Sequence, residues 1–394
     1  MAGPSGTMES LTIVGGGVAG LSLALALSQK GRKCTVLEAR PDGDGEHGAA
    51  LAMAPNAMAV LRRLGIADDV TREGSRIDWY RFMNPRGQTL AAIDLEPLSR
   101  PWGEHAWCVP RQHLIDTLSH HLPPSTLTTS CRVSQIAWQQ GQFALFNDHH
   151  APLGWASALV GADGAHSLVR QHFWGQRDAV YQGFFAIRAV IRYRLDNALA
   201  HTVTQIWGAG SEFGFSPMGS DHTYWYATLR WPQATPPWPT VEHVLAHFGR
   251  WCHPVPLLLE QTPPAAMLIH PIFDRLEPWR SQPIPVTLVG DAAHLMTPNT
   301  GQGACQALLD SWALAQSWTR AATPVDAFQR YRSLRLSKAL TVARISHQLG
   351  RLIHQRSPAG SQLALMLLAA MPPSAIRAAM KRVVGSPLSL HLEC

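Results

Sequence analysis

Charge is scarce in this chain. Asp, Glu, Lys and Arg make up only 15% of its 394 residues against 46% hydrophobic ones, which excludes a self-repelling disordered polymer and predicts a globular protein with a sizeable core. The Lys and Arg residues stand singly or in pairs such as Arg62-Arg63, so the net charge of +6 comes without the basic run that tracks a phosphate backbone. No nucleic-acid partner is expected, although a pull on small anions remains. No repeat of fixed period is present, which excludes a solenoid. Cysteine is thinly spread over Cys34, Cys108, Cys131, Cys252, Cys305 and Cys394, the two nearest lying 23 positions apart, so zinc ribbons and CxxC dithiols are excluded. Free thiols fit a reducing cytoplasm, the expected location. HExxH spacing is absent, and no metal is expected. No segment reaches the roughly 18 apolar residues of a membrane span. The longest candidates, residues 21–27 and 363–371, stop at polar residues or at Pro372-Pro373, and no transmembrane segment is expected. No signal pattern opens the chain. Residues 1–7 are read as foreign to the fold, with a native start expected at Met8.

What is present begins with Leu11-Thr12-Ile13-Val14, a short apolar run of the kind that forms a buried parallel strand. It ends in the loop Gly15-Gly16-Gly17-Val18-Ala19-Gly20. A helical stretch carrying Leu21, Leu23, Leu25 and Leu27 runs on to a stop at Gly31, and a second strand, Cys34-Thr35-Val36-Leu37, delivers Glu38. This strand–loop–helix–strand unit is what makes a glycine pattern informative. Gly15 permits the tight turn, Gly17 lets the backbone approach a pyrophosphate, and Gly20 lets helix and strand pack closely, while the helix N-terminus offers unpaired N–H groups to the phosphates. Glu38 can accept from both hydroxyls of an adenosine ribose and disfavours a 2′-phosphate, which argues against NADP at this site. The loop alone does not separate FAD from NAD.

Two later segments repeat the theme of a strand ending in an acid. Ala158-Leu159-Val160-Gly161 runs into Ala162-Asp163-Gly164, with Arg170 six residues beyond the glycine; taken singly, an Asp-Gly pair is an ordinary turn. Val286-Thr287-Leu288-Val289 runs into Gly290-Asp291, followed by Pro298-Asn299-Thr300-Gly301-Gln302-Gly303-Ala304 and a helix from Cys305 to Trp318. Asp291 can accept from the ribityl hydroxyls of a flavin. The peptide N–H groups of Gly301 to Ala304 can face the pyrimidine edge of an isoalloxazine.

In order and spacing, these three segments resemble the single-component FAD-dependent aromatic hydroxylases, the family of para-hydroxybenzoate, salicylate and urate hydroxylases. The resemblance covers nearly the whole chain, including Gly48 to Gly65 with Pro55-Asn56, the helix start Arg111-Gln112-His113-Leu114, Phe215-Ser216-Pro217-Met218-Gly219, and Asp274 with Trp279. It implies an α/β fold: a Rossmann-type (GR2-like) FAD-binding domain in parts 8–75, 105–180 and 276–350, a mainly antiparallel substrate domain inserted as strands 76–104 and sheet 181–275, and a C-terminal helical segment 351–394. It also implies that FAD is held by Gly15, Gly17, Val18, Ala19, Gly20, Glu38, Ala39, Arg40, Ala49, Arg111, Asp163, Asp291, Pro298, Gly301, Gln302, Gly303 and Ala304. NADH or NADPH would bind transiently, and O₂ would supply one oxygen atom, through a flavin C4a-hydroperoxide, to an aromatic or enolisable small molecule. Cys305 stands where the family commonly has Asn, and Leu309-Asp310-Ser311 where Glu-Asp-Ala is frequent, which puts helix contacts in question.

The stretch between Trp174 and Trp279 alternates like antiparallel sheet and is rich in rings. Trp207, Phe213, Phe215 and Tyr224 are candidates to stack on a flat substrate, or else core residues. Arg188, in the apolar strand Phe184-Phe185-Ala186-Ile187-Arg188-Ala189-Val190, can hold a substrate carboxylate or enolate, or make a structural ion pair. No catalytic base is singled out; His294 and His166 sit inside the flavin motifs and are expected to be structural, and His113 is expected at the surface. From Pro324 onward, long amphipathic helices are expected, with Arg332, Arg335, Arg344 and Arg351 on a solvated face. The chain is expected to act as a monomer or homodimer. Epoxidation or oxidative rearrangement, and a redox-neutral cyclisation on a flavin scaffold, remain as alternative chemistries.

Overall fold

The structure, a computed structural model, describes residues 10–41, 49–175 and 179–386. Met8, Gly48 and Cys394 lie outside them.

The strand Leu11–Val14 is buried at all four positions because it sits in the middle of a parallel sheet covered on both faces. Its neighbours are Cys34–Leu37 and Ala158–Gly161, flanked by Leu127–Thr128 and Val286–Leu288. The helix Val18–Ser28 buries residues 18–27 continuously, since one side packs on this sheet and another on the long helix Gly303–Arg320. Two glycines of the loop are structural requirements. Gly15 takes φ +107°, where a side chain is strained and would meet the Ala162 carbonyl, and a Cβ on Gly20 would collide with the Gly15 carbonyl.

The second body is a seven-stranded sheet in the order Leu268–Asp274, Val180–Ile191, His222–Arg230, Ser211–Met218, Thr202–Trp207, Trp79–Met83, Thr89–Asp94. Every pairing is antiparallel except that between Thr202–Trp207 and Trp79–Met83. An antiparallel substrate sheet inserted between parts of a Rossmann-type domain, with helices at the C-terminal end, is thus the observed architecture.

Strand alternation divides the large sheet into two faces. Phe185, Ile187, Ile206, Phe213, Phe215, Trp225 and Ala227 form a core under the helices Val241–Phe248 and Val255–Glu260. The intervening positions, among them Arg188, Gln205, Glu212, Tyr224 and Tyr226, face the other way, toward the nucleotide-binding body.

Asp310, on the helix Gly303–Arg320 and fully buried, ties the pieces together. Its Oδ1 accepts from Arg335 Nε at 2.8 Å, and its Oδ2 accepts from the Gly290 amide at 3.1 Å and lies 2.5 Å from His294 Nε2. Burial alone would raise this carboxyl, but His294 and Arg335 outweigh it and hold it down at about 2. Arg335 also donates to Gln306 Oε1 at 2.6 Å and is only 6% exposed, which corrects its expected place on a solvated face. An arginine in the middle of the 30-residue helix Pro324–Ile353 can turn inward because a carboxylate waits there. On the helix Gly303–Arg320 the substituted positions also make contacts: Ser311 Oγ donates to the Ala19 carbonyl at 2.7 Å, and Cys305 Sγ lies 3.3 Å from the Ala52 carbonyl.

Among the described residues no single helix is long and apolar enough to cross a membrane. The last two helices, Pro358–Ala370 and Pro373–Val384, are bent by 103° at the prolines between them.

Candidate active site

A cavity of about 460 Å³ lies between the two bodies. One wall comes from the glycine loop and the Gly290 to Ala304 region. The other comes from the inward face of the large sheet.

On the first wall, Gly17, Val18, Ala19, Ala49, Arg111, Asp291, Pro298, Gly301, Gln302, Gly303 and Ala304 all border the cavity. A Cβ on Gly17 would point into empty space, so the protein itself does not require glycine there and a closely approaching ligand would. Gly303 and Ala304 open an 18-residue helix, whose first N–H groups lack intrahelical acceptors and carry its positive end toward the cavity. Asp291 is packed about by protein but opens onto the cavity. Burial raises its carboxyl, against the opposing pull of His294 and Arg111. An anionic pyrophosphate beside the glycine loop, hydroxyls beside Asp291 and an electron-rich ring edge beside Gly301–Gly303 all match these donors and acceptors. The residues fit an FAD.

Other expected cofactor residues shape this wall from behind. Gly15 and Gly20 set the backbone of the loop without bordering the cavity. Glu38 accepts from the Gly16 amide at 2.6 Å and the Arg40 amide at 2.9 Å, with Arg40 Nε at 3.4 Å, so Glu38, Ala39 and Arg40 brace the loop. Asp163 is turned away: its Oδ1 accepts from Ser167 Oγ at 2.5 Å and its Oδ2 from the Val169 amide at 3.1 Å, organising the helix Leu168–Trp174 while Ala162 and Gly164 border the cavity. Arg170 donates to the carbonyls of Ala292 and Ala293 at 3.1 Å, fastening the turn that presents Asp291. The Gln302 side chain is engaged by Asn56 Nδ2 and Gln306 Nε2, each at 3.2 Å, leaving its backbone beside the cavity.

Of the expected substrate residues, Arg188 and Tyr224 border the cavity and Trp207, Phe213 and Phe215 do not. Phe213 stacks on Trp225 with ring centroids 5.3 Å apart, and Phe215 packs in the same core. Both point to the far face because they alternate with Glu212, Gly214 and Ser216. Trp207 stands at the end of its strand, 6% exposed and edge-on to Phe82, so neighbouring rings cover it.

The structure adds a polar group that sequence reasoning passed over. Glu212 is 1% exposed and borders the cavity. Its Oε1 accepts from the Tyr226 hydroxyl at 3.0 Å, and its Oε2 has no hydrogen-bond partner. Tyr226 in turn accepts from Gln205 Nε2 at 2.5 Å, and Gln205 Nε2 lies 3.2 Å from Tyr80 Oη. Burial pushes the Glu212 carboxyl up to about 7, opposed by Tyr226 and the neighbouring Asn299 amide. Gly214 makes room for this, since any side chain there would collide with the Tyr226 ring. The available signal was a lone acid one position before the alternating pair Phe213 and Phe215.

The comparisons with known proteins agree with this geometry. The FAD binding domain family matches residues 8–343. The aurachin C monooxygenase/isomerase of Stigmatella aurantiaca is 31% identical over 345 residues, covering 87% of this chain and 89% of that protein. The 3-amino-4-hydroxybenzoate 2-monooxygenase PtmB3 of Streptomyces platensis is 30% identical over 369 residues, covering 89% and 90%. Among solved structures, Klebsiella pneumoniae HpxO complexed with FAD and uric acid shares the fold with a TM-score of 0.86 at 22% identity, over 96% of this chain and 98% of that one. With its glycine loop, its Asp291 turn and its inserted sheet, the chain belongs to the FAD-dependent aromatic monooxygenases of the FAD binding domain family.

Proposed function

We propose that this monooxygenase inserts one oxygen atom into a flat conjugated molecule bearing an acidic N–H or O–H, held with that group against Glu212. The observation that carries this reading is the unpartnered Oε2 of a buried carboxylate at the cavity, beside the Tyr226–Gln205 chain. Bound FAD, reduced by NADH or NADPH, supplies the O₂-derived oxygen. Gly17, Val18, Ala19 and Arg111 hold its phosphates, Asp291 its ribityl chain, and the amides of Gly301 to Ala304 its ring edge. Glu212 accepts the substrate proton, which raises the electron density of the ring carbon to be oxygenated. Tyr226 donates to the resulting arrangement and keeps Glu212 oriented. Arg188, beside Tyr224, stabilises negative charge that develops on the substrate. The apolar remainder of the cavity, including Leu95, Leu98 and Val203, keeps water from the reacting centre. A reduced nicotinamide as co-substrate supports a cytoplasmic location.

The test is product formation by the yellow holoprotein with NADH or NADPH and a panel of phenols, hydroxylated N-heterocycles, aromatic acids and purines. Hydroxylated product should accumulate for members carrying the acidic group and fall away for their N- or O-methyl counterparts. Protein that takes up no FAD, or that yields only hydrogen peroxide across the panel, refutes the reading. The Stigmatella relative, named as both monooxygenase and isomerase, favours one second reading: oxygen transfer followed by rearrangement. Product structure separates the two.

A further inference from the structure

The helix Pro358–Ala370 is apolar on both sides. Its inner side sends Ala364 and Leu368 into the structure, where Leu368 packs in one cluster with Ile77, Leu95 and Leu98, three residues that border the cavity. Its outer side exposes Leu363 at 56%, Met366 at 61% and Leu367 at 56%, joined by Met371 and, at the end of the preceding helix, Leu352. Five of the eleven large exposed hydrophobic residues among the described ones therefore fall between positions 352 and 371. Isolated exposed apolar residues are ordinary, but a concentration on one helix marks an interaction surface.

Along the chain the charge on either side of it is of one sign, although the neighbouring elements Thr89–Asp94 and Glu96–Ser99 bring Asp94 and Glu96 close to the pair. From Asp326 to Glu393 the sequence contains no acidic residue between the two, and ten Lys and Arg residues. Arg351 and Arg356 precede the exposed apolar helix, and Arg377, Lys381 and Arg382 follow it; all but Arg377, which is half-buried, are exposed. Long cationic side chains at both ends of an apolar helix can reach headgroup phosphates while the helix lies among the acyl chains. A protein partner as apolar as this patch would not need that excess of positive charge, whereas an anionic bilayer matches both features. The 103° bend at Pro372-Pro373 and the inward packing of Leu368 and Ile376 set the pair against crossing the bilayer, and suit it to lying on one.

We propose that the helix Pro358–Ala370 docks the protein in the plane of an anionic lipid surface, with Leu363, Met366 and Leu367 entering the bilayer and the flanking arginines and lysine on the headgroups. The same helix forms part of the packing around the cavity, so docking brings the site to within one helix of the lipid.

The test is flotation of the FAD-loaded full chain with vesicles of phosphatidylcholine alone and of phosphatidylcholine mixed with phosphatidylglycerol, read by protein recovery and independent of any activity. Wild-type protein should float with the anionic vesicles and at least about ten-fold less with the neutral ones, and salt should release it. The triple variant L363S/M366S/L367S should lose flotation while keeping its flavin and thermal midpoint, since these side chains are already exposed. R377Q/K381Q/R382Q should lose the preference for anionic lipid. Equal recovery of the wild type and the serine variant, or no recovery with either vesicle, overturns the proposal. So does a concentration-dependent dimer that the serine variant abolishes without any vesicle binding, because a second copy would then cover the face.

Discussion

The Tyr226 hydroxyl donates to Glu212 Oε1 across 3.0 Å, from one strand of the large sheet to the next, and leaves the buried Oε2 of this cavity-lining residue without a hydrogen-bond partner. If that carboxylate accepts the substrate proton, the Glu212→Gln variant should retain its fold and flavin but lose turnover by about 100-fold, the scale of a missing general base. In the wild type the acidic limb of the rate profile should fall near pH 7, where Glu212 takes up a proton, and that limb should vanish in the variant. Stopped-time product analysis across pH decides the matter; an unaltered profile in the variant would remove Glu212 from the chemistry.

The same residue should leave a mark on stability. Because burial lifts Glu212 from 4.5 to about 7, the folded protein holds this proton over a range where the unfolded chain has released it. Its contribution is therefore intact below pH 4.5 and declines as pH rises to about 7. Above that, Glu212→Gln should be more stable than the wild type by up to about 3 kcal/mol, taking about 1.4 kcal/mol per pKa unit. Urea titrations of substrate-free protein at pH 5 and pH 8 measure the difference.

The buried Asp310–Arg335 pair should behave in the opposite sense. Asp310 is depressed to about 2, so its stabilisation is fully present above pH 4 and disappears as pH falls toward 2. Arg335→Ala strands a buried carboxylate and should cost about 3–5 kcal/mol. It should also loosen flavin, because Asp310 holds the Gly290 amide next to Asp291. Thermal melts and flavin retention on a desalting column check both effects.

Two glycines three positions apart should separate folding from cofactor binding. Gly20→Ala drives a methyl into the Gly15 carbonyl and should abolish folded protein. Gly17→Ala meets no protein atom within 4 Å, so the apoprotein should melt normally while FAD affinity falls by at least about ten-fold. A Gly17 variant that binds FAD as tightly as the wild type would place the pyrophosphate elsewhere.

The nucleotide side was readable in the sequence because its requirements are local. Gly15 and Gly20 are glycine for backbone reasons that a four-residue strand and the following helix already announce. The substrate side depends on register, which no single strand declares. Arg188 and Tyr224 reached the cavity, but Phe213 and Phe215 share a strand with Glu212 and occupy its other face. A lone glutamate in an alternating strand also looks like a solvent-facing residue until the second body covers it. Arg335 was hidden in the same way: its helix spacing matches a solvated stripe, and its partner Asp310 lies 25 positions earlier.

The two-faced sheet has a consequence for how such an enzyme changes over time. Odd positions such as Phe213, Phe215 and Trp225 pack the core of the domain, and even ones such as Glu212, Tyr224 and Tyr226 border the cavity. A lineage can therefore exchange its choice of molecule at every second residue of four strands while the scaffold is inherited unaltered.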